Sequence, residues 1–197
     1  MTAADCPSLA DPRRSMLGAE QERWLEEGWD LLRPWNLVAQ QSLLARFTWP
    51  GENGAGNTIF TDSWSGYPAA RERLIAGIAQ RKLPGVVVLG GDVHANYVAD
   101  LQPDASGPRS PVVATEFCGT SITSANARHA RITAALPSHP HVHYGRGDQR
   151  GYARFSLDAN ALQVQLRVVD DVDDPSSAVR TAARFVVAHG HPGARRE

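Results

Sequence analysis

A short apolar run from Val86 to Leu89 constrains the fold of this chain more than any other segment. Pro84 and Gly85 open the run, no charged residue interrupts it, and two glycines close it. A run of this length and composition is typical of a buried strand. With helical patterns around it, the strand favours an α/β fold.

The residues after this strand are candidates for a functional site. Asp92 and His94 follow the glycines, and strand ends in α/β sheets are where binding groups collect. If the chain stays extended beyond Gly91, both side chains point to one side, because strand side chains alternate. A carboxylate oxygen and an imidazole nitrogen that converge form half of a metal site. The pair favours a metallohydrolase; the alternative is an Asp that caps a turn and a His packed at a strand end.

Length and charge exclude some classes of protein. The chain has 197 residues, enough for one domain with a substantial core. Its formal net charge of -1 argues against a nucleic-acid-binding protein with a basic surface. No segment approaches the apolar length of a membrane span, and residues 1–14 lack the apolar region of a signal peptide. From the chain alone we expect a cytoplasmic protein.

Periodicity predicts a mixed sheet, with α/β organisation early in the chain and antiparallel strands late. Apolar spacing predicts helices at 17–32, 68–82 and 122–136, and strands at 35–39, 86–91, 97–101 and 111–117. Later, alternation on both sides of a turn predicts an antiparallel hairpin and one more strand, at 151–157, 162–169 and 182–187.

Five motifs along the chain, taken together, indicate kinship with a known family. They are the helix start at 16–25, the loop Asp62-x-Trp64-x-Gly66-Tyr67-Pro68, the segment 91–94, Glu116-Phe117 with 121–124, and the late pair Pro140-His141 and Arg150-Gly151-Tyr152. Five motifs in the right order at compatible spacings are a specific signal. The chain resembles the PhoD-like alkaline phosphatases and phosphodiesterases of the calcineurin-like metallophosphoesterase superfamily, from about Asp11 to about Gly193.

The resemblance implies a fold, a reaction and site residues. The fold would be the C-terminal half of an α/β/β/α metallophosphatase sandwich. The reaction would be metal-dependent hydrolysis of phosphate mono- or diesters, with iron and calcium ions bound. Asp92 and His94 would be metal ligands or their immediate neighbours. His141 would face the substrate or have a structural role, whereas His143 lies outside the family pattern and is expected at the surface.

The chain lacks the early aspartate and asparagine motifs that supply most metal ligands in this family. We therefore expect a partial phosphatase domain at 16–193, a flexible arm at 1–15 and a tail at 194–197. Such a chain would be an enzyme of impaired activity or a non-catalytic remnant. A remnant would self-associate or bind the missing half, because a truncated sheet exposes a strand edge and apolar faces. The family is usually exported, although this chain carries no signal.

Three other features admit two interpretations each. Asp62 either reaches the site from its loop or caps the helix that begins at Pro68. The hydroxyls between Thr120 and Ser124 either bind phosphate or cap a helix, and helix capping is favoured. Cys118 is interpreted as a small buried residue rather than a nucleophile, since no general base is identifiable beside it.

Overall fold

The computed structural model of the protein describes residues 5–51, 57–104, 110–126 and 128–197. The helices α1 to α3 are Ala19–Glu27, Pro68–Arg81 and His129–Ala135. The strands β1 to β11 are Asn36–Ala39, Trp49–Pro50, Asn57–Thr58, Val86–Gly90, Asn96–Leu101, Ala114–Cys118, Val142–Arg146, Arg150–Leu157, Ala161–Val169, Val179–Ala188 and His191–Arg196. Short 3₁₀ turns lie at Trp64–Gly66 and Leu136–Ser138. None of the described helices is long and apolar enough to cross a bilayer.

A five-stranded mixed sheet with the order β1-β4-β6-β5-β7 contains the apolar run. Strands β1, β4 and β6 are parallel, and β5 pairs antiparallel with both β6 and β7. Val86 and Val88 face one side of the sheet and Val87 faces the other, and all three are buried. The prediction of a buried strand in an α/β sheet is confirmed.

The late part of the chain forms a four-stranded antiparallel sheet with the order β11-β10-β9-β8. Every second residue of β9 from Leu162 to Val168 is buried, which is the alternation that predicted the hairpin. The predicted hairpin is confirmed, with Leu157 opposite Leu162 at its turn. On the opposite face of this sheet, Arg154 and Arg184 flank Gln165 and are exposed.

The two sheets pack face to face, and helices cover the other side of the mixed sheet. Val87, Val98 and Phe117 of the mixed sheet pack against the buried face of the antiparallel sheet. On the helix side, Ile75 of α2 and Ile132 of α3 are almost fully buried. Each such side chain contributes about 1.5–3 kcal/mol by leaving water. The described residues thus form three layers: helices, mixed sheet and antiparallel sheet.

Two predicted helices are shorter in the structure. Helix α1 ends at Glu27 rather than at 32, because the Asp30 carboxylate accepts hydrogen bonds from the backbone N–H groups of Leu32 and Arg33 and forms a turn instead. Helix α3 begins at His129 rather than at 122. Before it, the Asn126 side-chain amide donates to the carbonyl oxygens of Val93 and His94 in the β4–β5 connection.

Described residues near both chain ends contact the rest of the protein. Strand β11 continues to Arg196 through the region expected to be a tail, and Ala194 is buried. In β11 the buried Ala194 is followed by two exposed arginines, so the sequence gives little indication of a strand here. In the region expected to be a flexible arm, the Arg73 guanidinium of α2 donates to the carbonyl oxygens of Pro12 and Arg14.

Replacing Gly151 by alanine is expected to lower the free energy of unfolding by about 1–3 kcal/mol, through overpacking. A Cβ at this position would lie 2.0 Å from the Arg167 carbonyl oxygen of the paired strand, and φ is +153°. Urea denaturation measures the loss. Gly190 is the matched control, because its φ is +74° and nothing lies within 4 Å of its added Cβ. Equal losses in the two variants would show that backbone conformation, and not the clash, limits position 151.

Candidate active site

The chain leaves β4 through a tight turn over residues 91–94. Asp92 and His94 have φ of +64° and +55°, in the left-handed region that costs non-glycine residues about 1–2 kcal/mol each. The backbone is therefore not extended beyond Gly91, and the condition under which the two side chains would alternate onto one side is not met. Both residues nevertheless line the same cavity.

Hydrogen bonds from neighbouring loops hold this turn in place. The Gly91 N–H donates to the carbonyl oxygen of Gln41 at 2.9 Å. The Asn126 side-chain amide donates to the carbonyl oxygens of both Val93 and His94, each at 3.1 Å. Backbone strain persists only where the surroundings determine the conformation, and such positions cluster at functional sites.

Cys118, at the end of β6, contacts the backbone of this turn. Its thiol is fully buried and donates to the Gly91 carbonyl oxygen at a Sγ–O distance of 3.4 Å. Burial raises the pKa of the Cys118 thiol well above its usual value. A protonated, buried thiol is a packing residue, as predicted, and not a nucleophile.

The buried Arg150 side chain joins the turn to the hydroxyl-rich segment. Its guanidinium donates to the His94 carbonyl oxygen at 3.4 Å, to Ser121 Oγ at 2.8 Å and to the Ser124 carbonyl oxygen. The Thr120 hydroxyl donates to the Gln149 carbonyl oxygen at 2.8 Å. The expectation that these hydroxyls cap a helix is wrong, because α3 begins at residue 129 without a side-chain cap.

A cavity of about 520 Å³ opens above the turn, a volume in the usual range for small-molecule sites. Its polar lining includes Asp62, Asp92, His94, Asn126 and Arg128. The remaining lining is largely apolar and aromatic: Leu43, Phe47, Trp49, Phe60, Ser63, Ser65, Val93, Tyr97 and Ala125.

Asp62 reaches the cavity and does not cap α2. The N-cap position of α2 is Tyr67, which makes no side-chain cap. Among the described residues that line the cavity, Asp62 and Asp92 contribute two carboxylates and Arg128 contributes one guanidinium. Two carboxylates in one cavity favour the binding of a cation.

Comparison with protein families agrees with this picture. The model of the family "PhoD-like phosphatase" matches residues 1–166.

The chain belongs to the PhoD-like phosphatase family. The kinship predicted from five motifs is thereby confirmed.

Two relatives support this membership. Alkaline phosphatase D of Bacillus subtilis (strain 168) is 37% identical over 190 residues, which covers 94% of this chain and 32% of that protein. A solved structure described as "Structure of PhoD" matches with a TM-score of 0.84 at 37% identity, and covers 94% of this chain and 36% of that one. This PhoD-like chain thus spans about a third of the length of the relatives it matches. The mixed α/β fold predicted from the sequence is confirmed.

PhoD-like phosphatases depend on metal ions, and the cavity lining includes side chains of metal-ligating types. The carboxylates of Asp62 and Asp92 and the imidazole of His94 are donors of the types that calcium and iron accept. Within the described ranges, no three His, Cys, Asp or Glu side chains lie together closely enough to hold a metal ion. A complete site in this PhoD-like chain therefore needs donors beyond these residues, and Asp92 and His94 stay predicted ligands.

His141 lies away from the residues that line the cavity. Its buried imidazole Nε2 is 2.8 Å from the Arg46 carbonyl oxygen, and its Nδ1 has no hydrogen-bond partner among the described residues. His139, beside it, accepts from the Thr48 N–H at 3.0 Å and stacks on Phe47 with ring centroids 4.5 Å apart. The two histidines therefore contact residues 46–48, the segment that carries the cavity residue Phe47. A contact between His141 and substrate stays a prediction.

His143 forms an ion pair at the edge of the mixed sheet, and its side chain is one-third exposed. Its Nε2 lies 2.8 Å from Asp100 Oδ2. This hydrogen bond raises the pKa of His143. The pair lies outside the residues that line the cavity.

Glu116, which belongs to one of the five motifs, is a structural residue. Its fully buried carboxylate accepts from the backbone N–H groups of Leu44 and Ala45 at 2.7 and 2.6 Å. Burial raises the pKa of Glu116 to about 7, against the opposing effect of these two donors and of Arg71. Arg71 is also buried and donates to the Leu44 carbonyl oxygen. Glu116 therefore holds the loop from which Leu43 lines the cavity.

Sequence reasoning missed several cavity residues, among them Phe60, Asn126 and Arg128. Asn126 and Arg128 fall inside the segment predicted to be a helix, so their spacing gave no indication of a site. Phe60 lies in a loop next to the Asp62 motif. An Asn shortly after a hydroxyl-rich turn is the one local signal that favours a loop there.

Proposed function

We propose that this chain supplies the Asp92–His94 side of a phosphoesterase centre that hydrolyses phosphate mono- or diesters with bound metal ions, iron and calcium by family kinship. The observation that carries the proposal is one cavity that gathers two carboxylates, an imidazole and a guanidinium at the end of β4. Membership of the PhoD-like phosphatase family supports the reaction class. The name of the relative, an alkaline phosphatase, supports it as well.

In this proposal each polar side chain has a separate task. Asp92 and His94 hold a cation, which would lower the pKa of a bound water and neutralise charge on the phosphoryl group. Arg128 donates hydrogen bonds to phosphoryl oxygens, a geometry that suits the planar guanidinium. Asn126 keeps the turn in its left-handed conformation by binding two of its carbonyl oxygens. The backbone of His94 is thereby fixed before substrate arrives.

The proposal is tested with the chain alone and with a chimera. In the chimera this chain replaces the matching third of alkaline phosphatase D of Bacillus subtilis, so that the rest of that protein supplies any further donors. We expect the chimera to hydrolyse bis(p-nitrophenyl) phosphate when calcium and iron are present. Chelation is expected to reduce the rate at least a hundredfold, because bound metal ions would activate the attacking water.

Three outcomes distinguish the proposal from its rival. Chelator-sensitive turnover by the chimera supports the phosphoesterase centre, whether or not the chain alone is active. A folded chimera without turnover favours the alternative, a non-catalytic remnant. Turnover that survives chelation contradicts the metal-dependent mechanism.

A further inference from the structure

Four aromatic rings contribute to the cavity lining. We call Phe47, Trp49, Phe60 and Tyr97 the aromatic wall, and all four line the cavity. Phe47 packs edge-on against Trp49 and Tyr97, with ring centroids 5.1 and 5.2 Å apart. Because His139 also stacks on Phe47, the core of the wall is rigid.

Phe60 is the most exposed ring of the aromatic wall. It is 42% exposed, although a ring of this size gains most when buried. The Arg128 guanidinium carbon lies 5.5 Å from its ring centroid, within the range of a cation–π contact. The cavity therefore has the apolar surface of Phe60 and the charged guanidinium of Arg128 side by side.

Arg128 has unused hydrogen-bonding capacity at this position. Within the described part of the chain, the Arg128 guanidinium forms no ion pair. It lies against the Phe60 ring. A guanidinium beside an aromatic ring keeps its N–H donors available for a carboxylate or phosphate. An anion held by Arg128 would therefore lie next to the Phe60 ring.

We infer that the cavity prefers phosphate esters that carry a flat aromatic group, with Phe60 as the residue that determines this preference. The inference rests on the proposed function, since Arg128 would bind the phosphoryl oxygens while the ester group packs on the aromatic wall. The cavity volume accommodates a phosphoryl group together with one ring. Small alkyl esters would leave the exposed Phe60 ring in contact with water.

The test compares phenylphosphonate with methylphosphonate, which share the anionic group and differ in the organic one. Both are titrated into the full chain with calcium present. Binding is followed by NMR through the indole signal of Trp49, assigned with a W49F variant. We expect phenylphosphonate to bind about tenfold more tightly, as aromatic contacts commonly give. F60L should reduce this preference to about twofold.

Tyr152 provides the matched control, because it is an exposed aromatic residue of β8 outside the cavity lining. Y152L is expected to keep the full preference. Equal affinity of the two phosphonates, or a preference that survives F60L, overturns the inference.

Benzyl alcohol separates failure of the inference from failure of the proposed function. Binding of both phosphonates without a preference for the phenyl group supports the phosphate site and overturns the aromatic wall as a subsite. If neither phosphonate binds but benzyl alcohol shifts the Trp49 signal and F60L removes this shift, the aromatic subsite is supported and the phosphate site is contradicted. No response to any of the three probes overturns the inference.

Discussion

Replacing His94 by alanine is expected to lower phosphodiester hydrolysis by the chimera about a thousandfold, which corresponds to about 4 kcal/mol of transition-state stabilisation. His94 is predicted to be a metal ligand, and metal-assisted hydrolysis depends on the cation that its imidazole would help to hold. The rate on bis(p-nitrophenyl) phosphate at saturating calcium and iron is the measurement. Metal content of the purified variant is the second readout, and it should fall with the rate.

His191 is the matched control for His94. It is an exposed histidine of β11 whose Nδ1 lies near the His189 carbonyl oxygen, and it does not line the cavity. H191A should stay within about twofold of the parent rate, as surface substitutions usually do. A folded H94A chimera that keeps its rate would show that His94 is not a ligand. In that case His94 is a strand-end residue without a catalytic role.

Replacing Glu116 by alanine is expected to lower the free energy of unfolding by about 3–5 kcal/mol at pH 5. Two buried backbone N–H groups, of Leu44 and Ala45, lose their acceptors, each at a cost of about 1–3 kcal/mol. The missing side-chain volume adds a cavity term. The buried Arg71 guanidinium also loses a neighbouring carboxyl group. Urea denaturation of the wild-type chain and the variant measures the difference.

The difference should also depend on pH, with a sign fixed by the raised pKa. Burial raises the pKa of Glu116 from 4.5 to about 7, so the folded chain binds more protons than the unfolded one between these values. The stabilisation from this group is complete below pH 4.5 and is lost as the pH rises through about 7. The gap between wild type and E116A should shrink over that range. E72A, which removes an exposed carboxylate of the neighbouring helix, should show neither effect, and a gap that widens with pH would contradict the burial argument.

Periodic segments were predictable from the sequence, and contacts between distant segments were not. The apolar run at 86–89 and the alternation at 162–168 follow from burial on a sheet face, which requires only local spacing. The turn at 91–94 takes its left-handed form because Gln41, Asn126 and Arg150 bind its backbone. No local sequence pattern indicates that these residues would bind the turn.

The candidate site was predictable in the same limited way. Asp92 and His94 stand out because they follow a strand, and Asp62 because it belongs to a motif. Phe60 and Arg128 meet only when the loop before α2 and the loop before α3 fold over the end of β4. The sequence left His141 between a substrate-facing and a structural role, and in the structure its imidazole lies at 2.8 Å from the Arg46 carbonyl oxygen.

The left-handed conformations of Asp92 and His94 have an evolutionary consequence. Selection for thermostability alone would favour glycine at both positions, because glycine adopts a positive φ without steric cost. The two candidate ligands would then disappear as the protein became more heat-resistant. Under the proposed function, this turn gives up stability in order to place two metal ligands, as functional sites commonly do.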